Sequence, residues 1–228
     1  MINVNKYRFE TIVSEEIMPN YITEKKYTRT VEIFFLKKQK ELYHYQILCT
    51  KFDFSDQDTA TGFFLKKISY LFDELDLYAD EENNIVKINN ISSLRLRWQG
   101  LKVKLLETNK GDVVENYFRS VSSVFGNEES LIAFLHNYNM FGLYFNGQLG
   151  QYPDDGKKIR VITEGKIEHL HKENLSAEQN EIKLKFSADE NKNHLEGTSI
   201  YEKGILKENY VLSRENKCEI KYSLLWVG

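Results

Sequence analysis

Proline is almost missing from this chain of 228 residues. Pro19 and Pro153 are the only two, which leaves no room for long polyproline or disordered linkers. Cysteine is as scarce, with Cys49 and Cys218 alone. Each falls on the apolar phase of a strand pattern: Tyr43, Tyr45, Ile47, Cys49 in one, and Cys218, Ile220, Tyr222, Leu224, Trp226 in the other. That placement implies buried thiols in a reducing, cytoplasmic compartment. A disulfide between them would require those two strands to be neighbours.

No window approaches 18 apolar residues, so no helical membrane span is expected. The stretch Met1 to Glu16 lacks the basic start and unbroken apolar run of a signal peptide. Charge of one sign is not in excess either. Thirty-one Lys and Arg face thirty-four Asp and Glu, a net charge of -3, with no global attraction to nucleic acid or anionic membrane.

What is present is hydrophobic patterning. Apolar residues make up 41% of the chain, enough for a sizeable core. Tyr27, Arg29, Val31, Ile33 and Phe35 alternate with Lys26, Thr28, Thr30, Glu32 and Phe34. Ile182, Leu184 and Phe186 alternate with Glu181, Lys183 and Lys185. A period of two with one wet face means antiparallel strands. Strands are expected at about 5–13, 26–36, 40–52 and 85–88, then at 157–170, 180–187, 194–203, 205–213 and 217–227. The links include residues 14–21 around Pro19, and turns at 174–180 and 215–217.

Between these blocks the spacing changes to three and four. Phe64, Ile68, Leu71, Phe72 and Leu75 predict a helix over about 57–76, capped by Ser55 or Asp56. Residues 91–108 fit a helix through Ile91, Leu94, Trp98, Leu101 and Leu105, or two strands about Gln99-Gly100. Helix is preferred because Gln-Gly is a poor hairpin turn. Trp98 and Leu101 would then face the sheet. Val114, Tyr117, Phe118, Val121 and Phe125 form another stripe, and Glu128 to Tyr138 another. The layout is α+β: one antiparallel sheet built from N-terminal and C-terminal strand blocks, with a central group of about four helices on one face. One domain, 1–228, is expected, with the glycine cluster at 142–156 as the only candidate boundary.

Motifs that carry chemistry are missing. The run Gly150 to Lys158 has five residues between its glycines where a phosphate loop has four. It leads into the strand-like Ile159-Arg160-Val161-Ile162, so it reads as a β-turn. Asp53, Asp56 and Asp58 lack the glycine and terminal glutamate of a calcium loop. Asp73, Glu74, Asp76, Asp80, Glu81 and Glu82 form a dense acidic run, the pattern of a solvated face. His169 and His171 share one side of a strand, but a pair without a third ligand does not make a metal site. Neither a G-x-S-x-G elbow nor an activated cysteine occurs. Arg95, Arg97, Lys102, Lys104 and Lys110 form the one basic region, spread around the helix wheel without a single stripe.

The remaining signal is aromatic. Tyr138, Phe141, Tyr144, Phe145 and Tyr152 lie within fifteen residues that also hold Gly142, Gly147 and Gly150 and lead to Asp154-Asp155. Rigid rings on a turn-rich connection suit a recognition surface. These seven residues are the expected partner-binding site, with no catalytic residue, metal or cofactor. The expected function is non-catalytic binding of another protein, in the manner of a bacterial immunity-type inhibitor, an adaptor or a specific chaperone. The alternatives are a cupped sheet that holds a small apolar ligand and an enzyme with a carboxylate-based site. A ligand carrier would show an apolar cavity of a few hundred cubic ångströms, and an enzyme perturbed carboxylates or histidines in a cleft.

Overall fold

The computed structural model describes residues 3–148, 150–164, 167–178, 180–190 and 193–228. The chain begins with three long strands, β1 (Asn3–Met18), β2 (Tyr21–Gln39) and β3 (Leu42–Phe54). Helix α1 (Ala60–Ser69) runs into a 3-10 turn at Tyr70–Phe72, followed by β4 (Glu74–Ala79) and β5 (Ile85–Ile88). Helices α2 (Ile91–Thr108), α3 (Asp112–Val124) and α4 (Glu128–Leu135) come next. A turn-rich stretch leads to β6 (Lys157–Glu164), β7 (Ile167–Glu178), β8 (Glu181–Glu190), β9 (Asn193–Glu202), β10 (Ile205–Glu215) and β11 (Cys218–Trp226).

All eleven strands join one antiparallel sheet, in the order β5-β4-β3-β2-β1-β11-β10-β9-β8-β7-β6. Two meanders thus meet where the first and last strands pair, with Tyr7 opposite Trp226 and Glu15 opposite Cys218. The expected α+β layout, a sheet from both ends of the chain and a central helical group, is what the fold shows. β3 and β11 are separated by β2 and β1, so Cys49 and Cys218 sit on strands that are not neighbours, and both are free.

Several boundaries differ from expectation, each for a local reason. β1 and β2 continue through 14–21 and turn on Pro19-Asn20 alone, with Asn20 at φ 65. Proline holds φ near -65° and asparagine tolerates a positive φ, which makes a two-residue turn. A bulge between Glu16 and Met18 breaks the alternation that would have revealed the strand. The turn leaves Ile17, Met18, Tyr21 and Ile22 exposed.

The helix expected over 57–76 is shorter. Its cap is Thr59, whose Oγ1 accepts the Gly62 N–H at 3.0 Å, and not Ser55 or Asp56. A Cβ at Gly62 would collide with the Asp56 carbonyl, so the turn into the helix requires glycine there. Leu75 belongs to β4, where Leu75, Leu77 and Ala79 are all fully buried. The spacing of three from Phe72 to Leu75 mimicked a helical stripe across a helix-to-strand junction. The expected strand at 157–170 is two strands, β6 and β7, and β7 runs through most of the segment expected as a turn at 174–180.

Residues 91–108 are helical, as preferred. Asn90 starts that helix without capping it. Its side chain instead accepts the Asp76 N–H and donates to the Glu74 carbonyl, tying the helix start to β4. Trp98 is buried, with its ring against Phe118 and Phe125 and its N–H donating to the Ser122 hydroxyl at 3.0 Å. Those ring partners belong to α3 and the residue that ends it, where the sheet had been expected.

The helices cover the face of the sheet that carries Tyr7, Phe9, Val31, Ile33, Ile47, Leu75 and Leu77, all buried in one core with Leu94, Phe118, Leu131 and Leu135. The β5 edge is closed by side chains. The Ile85 N–H donates to His136 Nε2 at 2.9 Å and the Ile88 N–H to Glu128 Oε1 at 2.6 Å. Satisfying an edge in this way removes a template for strand addition. No helix among the described residues is long and apolar enough to cross a membrane.

Candidate functional site

On the inner face of β2, Arg29 is the charge that lies against the core. Period-two alternation puts Arg29 in phase with Tyr27, Val31 and Ile33, on the side that meets the helices. Next to it, β3 carries one extra residue between the partners of Thr30 and Val31. This bulge keeps Phe52 paired with Arg29 on the inner face while Cys49 pairs with Val31.

The Arg29 guanidinium lies over two rings, Phe52 and Phe141, at 5.1 Å from each centroid. Its Nη1 donates to the Met140 carbonyl at 3.5 Å, the outer limit of a hydrogen bond, and its Nη2 contacts the Met140 sulfur at 3.4 Å. Its Nε is buried with no partner. Among the described residues no carboxylate pairs with this arginine. Removal from water pushes its pKa down, an effect only partly offset by the Cys49 thiol. An arginine retains its charge even so.

Arg29 forms part of the wall of a cleft of about 370 Å³ between the sheet and the helices. The floor is apolar: Phe9, Phe52, Ile68, Phe72 and Met140 are all buried. Val13, Tyr27, Phe54, Ile220 and Tyr222 are half-buried and form the rim. The rim residues of β1 and β2 lie between the floor and the Pro19-Asn20 turn, so the cleft opens toward that end of the sheet. A larger depression of about 820 Å³ lies on the outer face of β6 to β10, between the exposed Lys157, Lys172 and Lys185. It is shallow, and those three lysines are exposed. The desolvated charge makes the inner cleft the stronger candidate.

The seven residues expected to bind a partner are divided by the fold. Phe141 and Phe145 are fully buried, Phe141 against Phe9 and beneath Arg29, Phe145 against Tyr45. Their rings pack the core. Tyr144 stacks edge-on against Tyr7 at 5.2 Å, and burial raises its hydroxyl pKa well above the usual value. Tyr138 lies beside Tyr222 on the cleft rim. Tyr152 donates to Glu173 at 2.8 Å, and Glu173 pairs with Arg160 at 2.7 Å, a compensated ion pair. Asp154 and Asp155 are exposed in the turn closed by the Gly156 N–H on the Pro153 carbonyl. The Gly150–Lys158 run therefore contains a β-turn, Pro153 to Gly156, that leads into β6.

Other clusters resolve into structural pairs. Asp73 and Glu74 of the acidic run meet Arg97 of the basic region, Asp76 meets His44, and Glu81 meets Lys38. The Arg95 Nε donates to the Phe125 carbonyl at the end of α3. His171 is buried and stacked on Phe186, whereas the side chain of His169 lies outside the described residues.

Sequence reasoning passed over Arg29, although the signal was present. A charged residue in the apolar phase of a strand is rare, and Arg29 stands in that phase between Tyr27 and Val31.

No family model matches the chain, and no curated protein matches it. The comparison with solved structures does find a likeness. The fold is similar to part of lipovitellin. The matching structure, described as showing lipid–protein interactions in lipovitellin, superposes with a TM-score of 0.52 at 10% sequence identity. The match covers 99% of this chain and 25% of that one, so this chain spans about a quarter of lipovitellin's length. At that identity the likeness is one of fold.

Proposed function

We propose that this chain binds a small apolar ligand, without catalysis, in the cleft between β1–β3 and the helices. The observation that carries this reading is the cleft itself: about 370 Å³, floored by buried Phe9, Phe52, Ile68 and Phe72, and open at one end. Ligand pockets in proteins run from about 300 to 1,000 Å³ and are mostly apolar with a few placed polar groups. The lipid–protein contacts described for lipovitellin, which resembles this fold, support the same reading.

The test is a chain-length series of neutral alkan-1-ols displacing the fluorophore N-phenyl-1-naphthylamine. Each buried methylene contributes about 0.8 kcal/mol, so affinity should rise about fourfold per carbon until the cleft is full. Thr11→Trp, placed on the inner face of β1 at the cleft, should abolish displacement while the protein stays folded. Affinity that is independent of chain length, or unaffected by Thr11→Trp, would refute the reading.

A protein partner is the second reading, favoured by the exposure of Asp154 and Asp155 on a tight turn. Binding of that kind should be lost on Asp154→Lys with Asp155→Lys and kept on Thr11→Trp. The two readings are thereby separated.

A further inference from the structure

We propose that the ligand of this cleft is an amphipathic anion, an aliphatic carboxylate whose head pairs with Arg29 and whose chain lies along Phe9, Ile68 and Phe72 toward the rim. The inference rests on reading the cleft as a ligand site and adds the chemical class of its occupant.

A guanidinium offers five N–H groups in a planar fork that matches a carboxylate. At Arg29 only two atoms of that fork have partners, and both partners belong to Met140: a carbonyl at 3.5 Å and a thioether sulfur at 3.4 Å. Neither is an anion. The Nε is buried and bonded to nothing. Elsewhere in the described chain, the other half-buried arginines have firm hydrogen-bond or ion-pair partners, and Arg95 donates to the Phe125 carbonyl at 2.9 Å. Arg160 pairs with Glu173 and with the Asn146 carbonyl, and Arg97 pairs with Asp73. Arg29 alone is held inside an aromatic box without a counter-charge.

The box explains how the charge is tolerated. Phe52 and Phe141 present their faces at 5.1 Å, and ring quadrupoles attract cations. They attract the charge without supplying a hydrogen-bond acceptor. Met140 is the weak partner, because a thioether is a poor acceptor on a flexible side chain. A carboxylate displacing that contact would gain charge-assisted bonds in a setting where water competes little. A neutral alkyl ligand would fill the apolar floor but leave the charge uncompensated. A cationic one would meet repulsion.

The experiment compares dodecanoate with dodecan-1-ol on the native protein and on Arg29→Met, by isothermal calorimetry below the aggregation limit of the probes. The native protein should prefer dodecanoate by about ten- to a hundredfold, the range of a hydrogen-bonded charge pair. Arg29→Met should abolish that preference, with dodecanoate losing at least tenfold more affinity than dodecan-1-ol. Arg29→Lys, which keeps the charge but not the fork, should retain part of the preference, and it serves if the methionine variant fails to fold. Dodecanoate affinity unaffected by Arg29→Met would overturn the inference. So would equal affinity of the native protein for the two probes, and in that case the cleft reading would stand alone. Failure of both probes to bind would remove the cleft reading and the inference with it.

Discussion

Replacing Arg29 with methionine should make the unliganded protein more stable, not less. The side chain is half-buried, its Nε has no partner, and among the described residues no carboxylate pairs with it. Exchanging even a buried ion pair for packed apolar residues is often neutral or stabilising by about 1–4 kcal/mol, and a charge without a counter-ion lacks the pair's Coulombic gain. Against that gain stand two cation–π contacts at 5.1 Å, each worth about 0.5–1 kcal/mol and more when desolvated, and one long bond to Met140. The balance favours methionine by about 1 kcal/mol. In a chain of this size that corresponds to a rise in melting temperature of about 2–4 °C. Arg29→Lys should fall below both, because the compact ammonium is more strongly hydrated and loses the planar stack on Phe52 and Phe141. Differential scanning calorimetry of the three apo proteins gives the order directly. A drop of several degrees for Arg29→Met would show that the guanidinium fastens the core, and the case for a free anion-binding group would fail. A rise would mean that the chain retains a destabilising charge whose use lies elsewhere.

Three further outcomes follow from the packing. Trp98→Ala removes a buried ring that meets Phe118 edge-on and stacks on Phe125 and should cost about 3–5 kcal/mol, lowering the melting temperature by roughly 6–20 °C; a shift of one or two degrees would mean the α2–α3 contact carries little. The pKa of His136 is lowered chiefly by burial, only partly countered by Asp80, so the unfolded chain takes up a proton first as pH falls below about 6.5. Stability should therefore decline from that pH downward, and His136→Gln should flatten this part of a urea-midpoint profile; an unchanged profile would exclude His136 as the cause. Desolvation pushes the Cys49 thiol up to about 11, so Ellman's reagent at pH 8 should modify Cys218 well before Cys49, and non-reducing mass spectrometry should find two free thiols; faster labelling of Cys49 would contradict its burial.

Much of the fold was legible in local pattern. Alternation at 26–36 and 180–187, and stripes at spacing three and four through Trp98 and Phe118, depend on neighbours within a few residues. They identify strands and helices because burial repeats at the period of the element. What escaped was local too, but mixed: the bulge at Glu16–Met18 and the helix-to-strand junction between Phe72 and Leu75, where one period passes into another.

The candidate site divides in the same way. Sequence alone places Arg29 on the apolar phase of a strand and the aromatics at 138–152 on a turn-rich connection. Only the tertiary structure decides that Phe141 lies beneath Arg29 while Asp154 and Asp155 stay in solvent. Met140 reaches Arg29 across a separation of 111 residues, and among the described residues no carboxylate pairs with it. Periodicity reports which side of an element is buried. It carries no information about which distant groups arrive on that side, and the chemistry of a buried charge depends on those groups.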